Sequence, residues 1–285
     1  MKIRHVLSSF SLLAAGLISS AQASTIYLND NFDGYADQAA FQAAWPAIAA
    51  GTPASAELST AQSVSIPNSV RVPGTTVTGQ SRNRRSFADT DALFVGNEKL
   101  VWSFDFYDSS PTTSPARNYS NLQDTTAPGS TNQLIAMGFN NNQSNTNSGG
   151  AYYMARILGY SPAAADPDGG PGETGTLGSG AFFKLNDFGA GLRSLGWHNL
   201  KVEIDTDDGI ATDYSFFVDG VLAEKVSNVG TVLRQYDNIV LGSGLSNAST
   251  EAFFDNMQLS TVPEPTSLLL AGVLGMAMSC ARSRR

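Results

Sequence analysis

The 285-residue chain has one cysteine, Cys280, two histidines, His5 and His198, and only 15% charged residues. A single cysteine excludes an intramolecular disulfide, the usual staple of small exported domains. With so few soft ligands, a zinc site built from Cys/His clusters is excluded too. Basic residues are scarce: 17 against 25 acidic ones, for a formal net charge of −8. That sign disfavours nucleic acid and anionic membrane surfaces as partners. Long apolar runs are missing as well. The two greasy stretches, residues 6–18 and 268–280, both fall short of the roughly 20 residues that a stable membrane span needs. A chain so made must stand on a packed core or a bound ion.

What is present begins at the two ends. Lys2 and Arg4 precede the first apolar stretch, and Ala21-Gln22-Ala23 closes it in small-x-small form. These three parts make an export signal, with cleavage by signal peptidase expected after Ala23. At the other end, Val262-Pro263-Glu264-Pro265 leads into the apolar run, and Arg282, Arg284 and Arg285 follow it. Arginines left on the cytoplasmic side place the preceding domain outside. A run too short to anchor stably suits a transient hold in the membrane. Losing both ends removes Lys2, Arg4 and the three terminal arginines, and Glu264, leaving 12 basic against 24 acidic residues and no cysteine. An acidic ectodomain favours solubility and divalent cations.

The terminal arrangement resembles the PEP-CTERM sorting signal of exported proteins from Gram-negative bacteria that make exopolysaccharide. The resemblance implies recognition by an exosortase and processing around Pro263, Glu264 and Pro265. It also implies an inner-membrane intermediate and a destination at the cell surface or in the extracellular matrix. The expected organisation is a signal peptide over 1–23, an ectodomain over 24–261 and a sorting segment over 262–285.

Between the ends, apolar and polar residues alternate in short runs: 25–32, 68–72, 99–107, 133–139, 152–158, 181–185, 197–204, 214–226, 238–241 and 252–259. Period-two alternation predicts strands with one buried and one wet face. Residues 36–45 alone predict a helix, with Phe41 and Trp45 on one side. The stretches 109–131, 140–150 and 161–180, rich in Ser, Thr, Asn, Gly and Pro, read as loops. The pattern predicts an all-β antiparallel sandwich with one short helix.

Residues 196–226 give a Trp-led strand, an acidic turn at Asp207-Asp208-Gly209, and a second strand that reverses at Asp219-Gly220, a tight-hairpin pair. Together with LNDNFDGY at 28–35 and EAFFDNMQLS at 251–260, this stretch resembles concanavalin A-like jelly rolls, including laminin-G-like domains and laminarinase-type glycoside hydrolases. The resemblance implies a jelly-roll β-sandwich that binds polysaccharide or forms matrix. A glycoside hydrolase or lyase, and a purely structural matrix protein, stay open beside it.

Glu203, Asp205 and Asp207 are the acidic triplet nearest a glycosidase carboxylate pair. They lack the closing Glu of the laminarinase-type motif and read equally as the wet face opposite Leu200, Val202 and Ile204. Asp33 and Asp255 are the candidates for a structural calcium ion, which related sandwich modules hold between first and last strands. Calcium takes six to eight oxygens, so backbone carbonyls or waters would complete the shell. In the other reading Asp33 caps the helix and Asp255 begins a turn. Arg82, Arg84 and Arg85 form the one basic cluster, either a contact for an acidic polysaccharide or an exposed loop that balances the acidic surface. Trp45 and Trp197 offer sugar-stacking faces but sit in apolar patterns that favour the core. No Gly-x-Ser-x-Gly elbow surrounds a serine, and His198 has no cysteine partner, so the chain reads as non-catalytic.

Overall fold

Short alternating segments dictate strands, and the computed structural model shows fourteen of them among its described residues, in two antiparallel sheets with one helix. The structure describes residues 24–48, 56–74, 82–88, 98–111, 117–125, 133–140, 152–158, 182–207, 211–228, 235–242 and 250–263. Ala23, Glu264, Pro265, Cys280, Arg282, Arg284 and Arg285 lie outside them, as do the expected loops at 141–150 and 161–180.

The chain order is β1 (Ile26–Asp30), α1 (Gln38–Ala44), β2 (Glu57–Ser59), β3 (Ser69–Val72), β4 (Asn83–Ser86), β5 (Glu98–Asp108), β6 (Arg117–Asp124) and β7 (Gln133–Asn140). Then come β8 (Met154–Leu158), β9 (Phe182–Lys184), β10 (Gly196–Asp207), β11 (Ala211–Val218), β12 (Val221–Asn228), β13 (Asn238–Leu241) and β14 (Ala252–Pro263). The larger sheet runs β12-β11-β10-β5-β14-β3-β2, with β1 also beside β14; the smaller runs β4-β13-β6-β7-β8-β9.

The core lies where the inward faces meet. Trp102, Phe104 and Phe106 of β5 and Leu200, Val202 and Ile204 of β10 face Ile135, Met137 and Phe139 of β7, all fully or almost fully buried. Phe106 packs edge-to-face on Phe139 at 5.5 Å and on Phe254 at 5.1 Å between ring centroids. Burying each such side chain is worth about 1.5–3 kcal/mol, so this aromatic layer can hold a domain without disulfides.

Strand β14 is the spine of the larger sheet. Its register shifts between Asp255 and Gln258, and Asn256 takes φ 46°, a left-handed conformation that asparagine tolerates. The bulge lets one strand serve two neighbours, β3 before it and β1 after it. The strand continues to Pro263, which pairs with Glu98. The reversal at Asp219 (φ 52°) and Gly220 (φ 78°) joins β11 to β12 in the tight geometry that an Asp-Gly pair favours.

The helix is capped by Asp37, whose side chain accepts from the Ala40 N–H at 2.8 Å, and not by Asp33. Phe41 and Trp45 are buried against Phe32. Two expectations fail. Stretch 109–131, read as a loop, contains the eight-residue strand β6, almost entirely buried. Its sequence RNYSNLQD has polar residues on both faces, so no apolar alternation marks it. Arg84 and Arg85, read as part of an exposed loop, belong to strand β4.

Candidate functional site

The outward face of the six-stranded sheet carries an unusual set of side chains. Pairing register builds it in rows. One row runs Arg84, Val240, Asn121, Ala136, Arg156 and Phe182 across β4, β13, β6, β7, β8 and β9. The next places Tyr119 of β6 beside Gly138, Met154 and Lys184. A third pairs Arg117 with Asn140. Alternation fixes the direction: Leu122, Ile135, Ile157 and Phe183 point into the core, so their strand neighbours point out.

Among the described residues of these six strands, the outward positions hold Arg84, Arg117, Arg156 and Lys184 and no carboxylate. In a chain whose formal net charge is −8, this is a local reversal of sign. Tyr119, Ala136, Met154 and Phe182 form a small buried apolar cluster in its middle, and Arg84, Arg156 and Lys184 around it are partly exposed. The Arg156 guanidinium lies over the Phe182 ring at 5.3 Å. Arg117 is 1% exposed, yet its Nε and Nη2 have no hydrogen-bond partner, and neither has the Oδ1 of Asn121. Burial pushes the Arg117 guanidinium below its ordinary value, and does the same at Arg82. Unpaired polar atoms at such depth are costly to the fold.

Gly138 makes the close packing possible. Its φ is 153°, and a Cβ there would sit 2.3 Å from the Asn118 carbonyl oxygen and 2.6 Å from the Tyr119 Cβ. Only glycine lets β7 approach the backbone that presents Tyr119.

The residues expected from sequence fall elsewhere. Glu203 and Asp205 lie on the outward face of the larger sheet, opposite Leu200, Val202 and Ile204. Lys201 Nζ donates to Glu203 Oε1 at 2.6 Å, and Lys99 Nζ is 3.7 Å from Asp205 Oδ2. The side chain of Asp207 is outside the described set. Asp33 and Asp255 are not arranged as calcium ligands. Asp255 Oδ2 accepts from the Val64 and Ser65 N–H groups at 2.8 and 3.0 Å, and Oδ1 accepts from the Ser65 hydroxyl and the Asn256 N–H at 2.9 and 2.8 Å. Asp33 accepts from the Asn68 N–H at 2.8 Å and the Asn31 amide at 2.8 Å. Both carboxylates face donors, where a cation needs further oxygens, so the surroundings do not fit calcium. Their work is to fasten residues 64–68 to the strands. Among the described residues no group of three or more His, Cys, Asp or Glu side chains could hold a metal.

Trp45 is core, and its indole N–H donates to Asp30. Trp197 is not. It is partly exposed on the outer face of the larger sheet, edge-on to Tyr107 at 5.4 Å. Sequence reasoning missed Tyr119, Asn121, Arg117 and Arg156. The available signal was Tyr119 between two asparagines, hidden by the reading of β6 as a loop.

No protein-family model matches the chain, and no curated protein matches it in sequence. Solved structures do share its shape. A conserved carbohydrate esterase from Shiga toxin-encoding bacteriophage phi24B aligns with TM-score 0.50 and 12% identity over 84% of this chain and 99% of that one. An endo-β-1,4-glucuronan lyase from the fungus Trichoderma reesei aligns at 0.48 and 12% over 83% and 95%, and basic winged bean lectin at 0.46 and 10% over 85% and 99%. At such identity the likeness shows the fold alone. The fold is the antiparallel sandwich that the strand pattern predicts, in the concanavalin A-like jelly-roll form that the resemblance implies. No helix among the described residues is long and apolar enough to cross a membrane.

Proposed function

We propose that this chain is an exported glycan-binding module that grips an acidic polysaccharide on the outward face of its six-stranded sheet, without cleaving the polymer. The observation that carries this reading is the set of partly exposed cations on that face, Arg84, Arg156 and Lys184, with no carboxylate beside them among the described outward positions of the six strands. Guanidinium groups match carboxylates in paired geometry. Neighbours of the same fold include lectins, glucuronan and alginate lyases and a carbohydrate esterase by their descriptions, which agrees with a glycan partner. Glu203 and Asp205 each have a lysine beside them, which supports the wet-face reading of these two residues over a glycosidase pair.

Export and sorting belong to the same proposal. Signal peptidase acts at Ala23, and an exosortase processes the Pro263-Glu264-Pro265 region, which delivers the module to the cell surface or exopolysaccharide matrix. Intact-mass analysis of protein from the native cell surface should show a chain without its arginine tip; a retained tip removes the sorting half of the reading. Affinity electrophoresis through gels containing alginate, pectate or a neutral β-glucan tests the binding half. Retardation by the acidic polymers, with no new reducing ends, is expected. Equal mobility in all three gels refutes it.

A further inference from the structure

A second cluster lies away from that face, at one end of the sandwich, and its geometry is that of a charge-relay site. His198, the third residue of strand β10, lies on its inward side and is paired with Phe106. Its Nδ1 lies 2.8 Å from Asp219 Oδ2, and its Nε2 lies 3.0 Å from the hydroxyl of Ser194. Nothing in the sequence spacing suggested this, because Ser194 sits on no Gly-x-Ser-x-Gly turn. It comes to His198 four residues along the chain, and Asp219 comes from the β11–β12 turn.

Each member is held by a separate device. Asp219 Oδ1 accepts from the Asn199 N–H at 2.8 Å, and the Asp219 N–H donates to the Asn199 carbonyl at 2.8 Å. That leaves Oδ2 for the imidazole. In the tautomer with hydrogen on Nδ1, donated to that carboxylate, Nε2 presents a lone pair and the Ser194 hydroxyl donates to it. Tyr153, 1% exposed, backs the imidazole at 5.2 Å between ring centroids. Arg193, next to Ser194, is locked by Asp108 at 2.8 Å and by the Ser110 carbonyl at 3.1 Å. The nucleophile candidate thus hangs from a fixed neighbour while remaining exposed itself. Leu192 and Leu195, 59% and 67% exposed, flank it in the chain.

We infer that Ser194, His198 and Asp219 form a hydrolytic site for carboxylic esters with a short acyl group. Ser194 Oγ bonds to the ester carbonyl carbon while its proton passes to His198 Nε2. The bond from that carbon to the alcohol oxygen then breaks, and the alcohol leaves with the proton from Nε2. Water repeats the sequence on the acyl-serine, giving the carboxylic acid and free serine. The Ser194 carbonyl, 3.0 Å from Nε2, accepts the imidazolium N–H while the proton is stored. Ser194 and His198 are the catalytic residues, and Asp219 is a positioning residue.

The test uses the purified full-length chain with p-nitrophenyl acetate and a fluorophosphonate probe. Hydrolysis above buffer, and a phosphonyl adduct on Ser194 by peptide mass spectrometry, are expected. Ser194→Ala and His198→Asn should each lose about 100-fold in rate, a typical contribution of a positioned base, with unchanged circular dichroism. Asp219→Asn should lose rate and Asp219→Glu should recover part of it, which a merely structural turn residue would not require. Absence of an adduct on Ser194, or hydrolysis that persists in Ser194→Ala, overturns the inference.

Discussion

Replacing Arg193 with methionine tests how the end of the sandwich is held. Asp108 is fully buried and receives Arg193 Nε at 2.8 Å and Nη2 at 3.1 Å. Its other donors are the Ser110 N–H at 3.0 Å and a long contact from the Tyr153 hydroxyl at 3.4 Å. Methionine keeps an apolar stem near Phe139, over whose ring the guanidinium now lies at 4.0 Å. It leaves the carboxylate in the core without its counter-charge. Removing one partner of a buried pair costs about 3–5 kcal/mol. Losing the bond to the Ser110 carbonyl adds about 1 kcal/mol. At roughly 2–4 °C per kcal/mol for a domain of this size, Arg193→Met should melt about 8–24 °C lower. Adding Asp108→Asn removes the stranded charge and should recover roughly half of the loss, a coupling that a double-mutant cycle reads directly. Urea unfolding followed by tryptophan fluorescence gives both numbers. A loss under about 1 kcal/mol for Arg193→Met, or no recovery in the double variant, would refute the reasoning.

Two further outcomes follow from the packing. Gly138→Ala should destabilise by more than about 1 kcal/mol and disturb Tyr119, because the new Cβ meets the Asn118 carbonyl at 2.3 Å and the φ is unsuited to alanine; a melting curve equal to wild type contradicts it. Burial holds the Asp255 carboxyl above its usual range, so the folded chain keeps that proton more tightly than the unfolded one. The contribution of this group to stability is greatest below the ordinary carboxylate value and declines as pH rises above it. Asp255→Asn should flatten that part of the stability–pH curve, as measured by urea midpoints across pH 3 to 7 (the usual window for a carboxylate, roughly); an unchanged slope contradicts it.

The sandwich was legible wherever one face is apolar. Strands β5, β10 and β13 announce themselves because Trp102, Leu200 and Ile239 and their second neighbours must leave water. The Asp-Gly hairpin was legible because positive φ at two successive positions restricts the residues that fit. Strand β6 was not. Asn118, Ser120 and Asp124 point inward and make long-range bonds, such as Ser120 to the Val240 carbonyl and the Asn118 amide to the Thr250 carbonyl. Those partners lie more than a hundred residues away, so no local pattern can reveal them. The same reason hid the candidate binding face, whose partly exposed cations come from strands β4, β8 and β9. It also hid Ser194, which gains meaning only when Asp219 is folded onto His198. The surroundings of Asp33 and Asp255 were hidden for the converse reason. Sequence shows carboxylates but not the N–H groups that already occupy them.

The central claim is that the carboxylate-free sheet face reads anionic glycan, and titration calorimetry with polygalacturonate tests it most directly. Wild type should bind, with affinity falling as salt rises, because the attraction is screened beyond about 10 Å at 0.1 M ionic strength. Arg84→Gln and Arg156→Gln, both at partly exposed positions, should each weaken binding by about 5- to 10-fold, the loss of roughly 1 kcal/mol of charge-assisted hydrogen bonding, while the melting temperature stays near wild type. Binding that is indifferent to salt and to both substitutions, or binding only to a neutral glucan, would contradict the account.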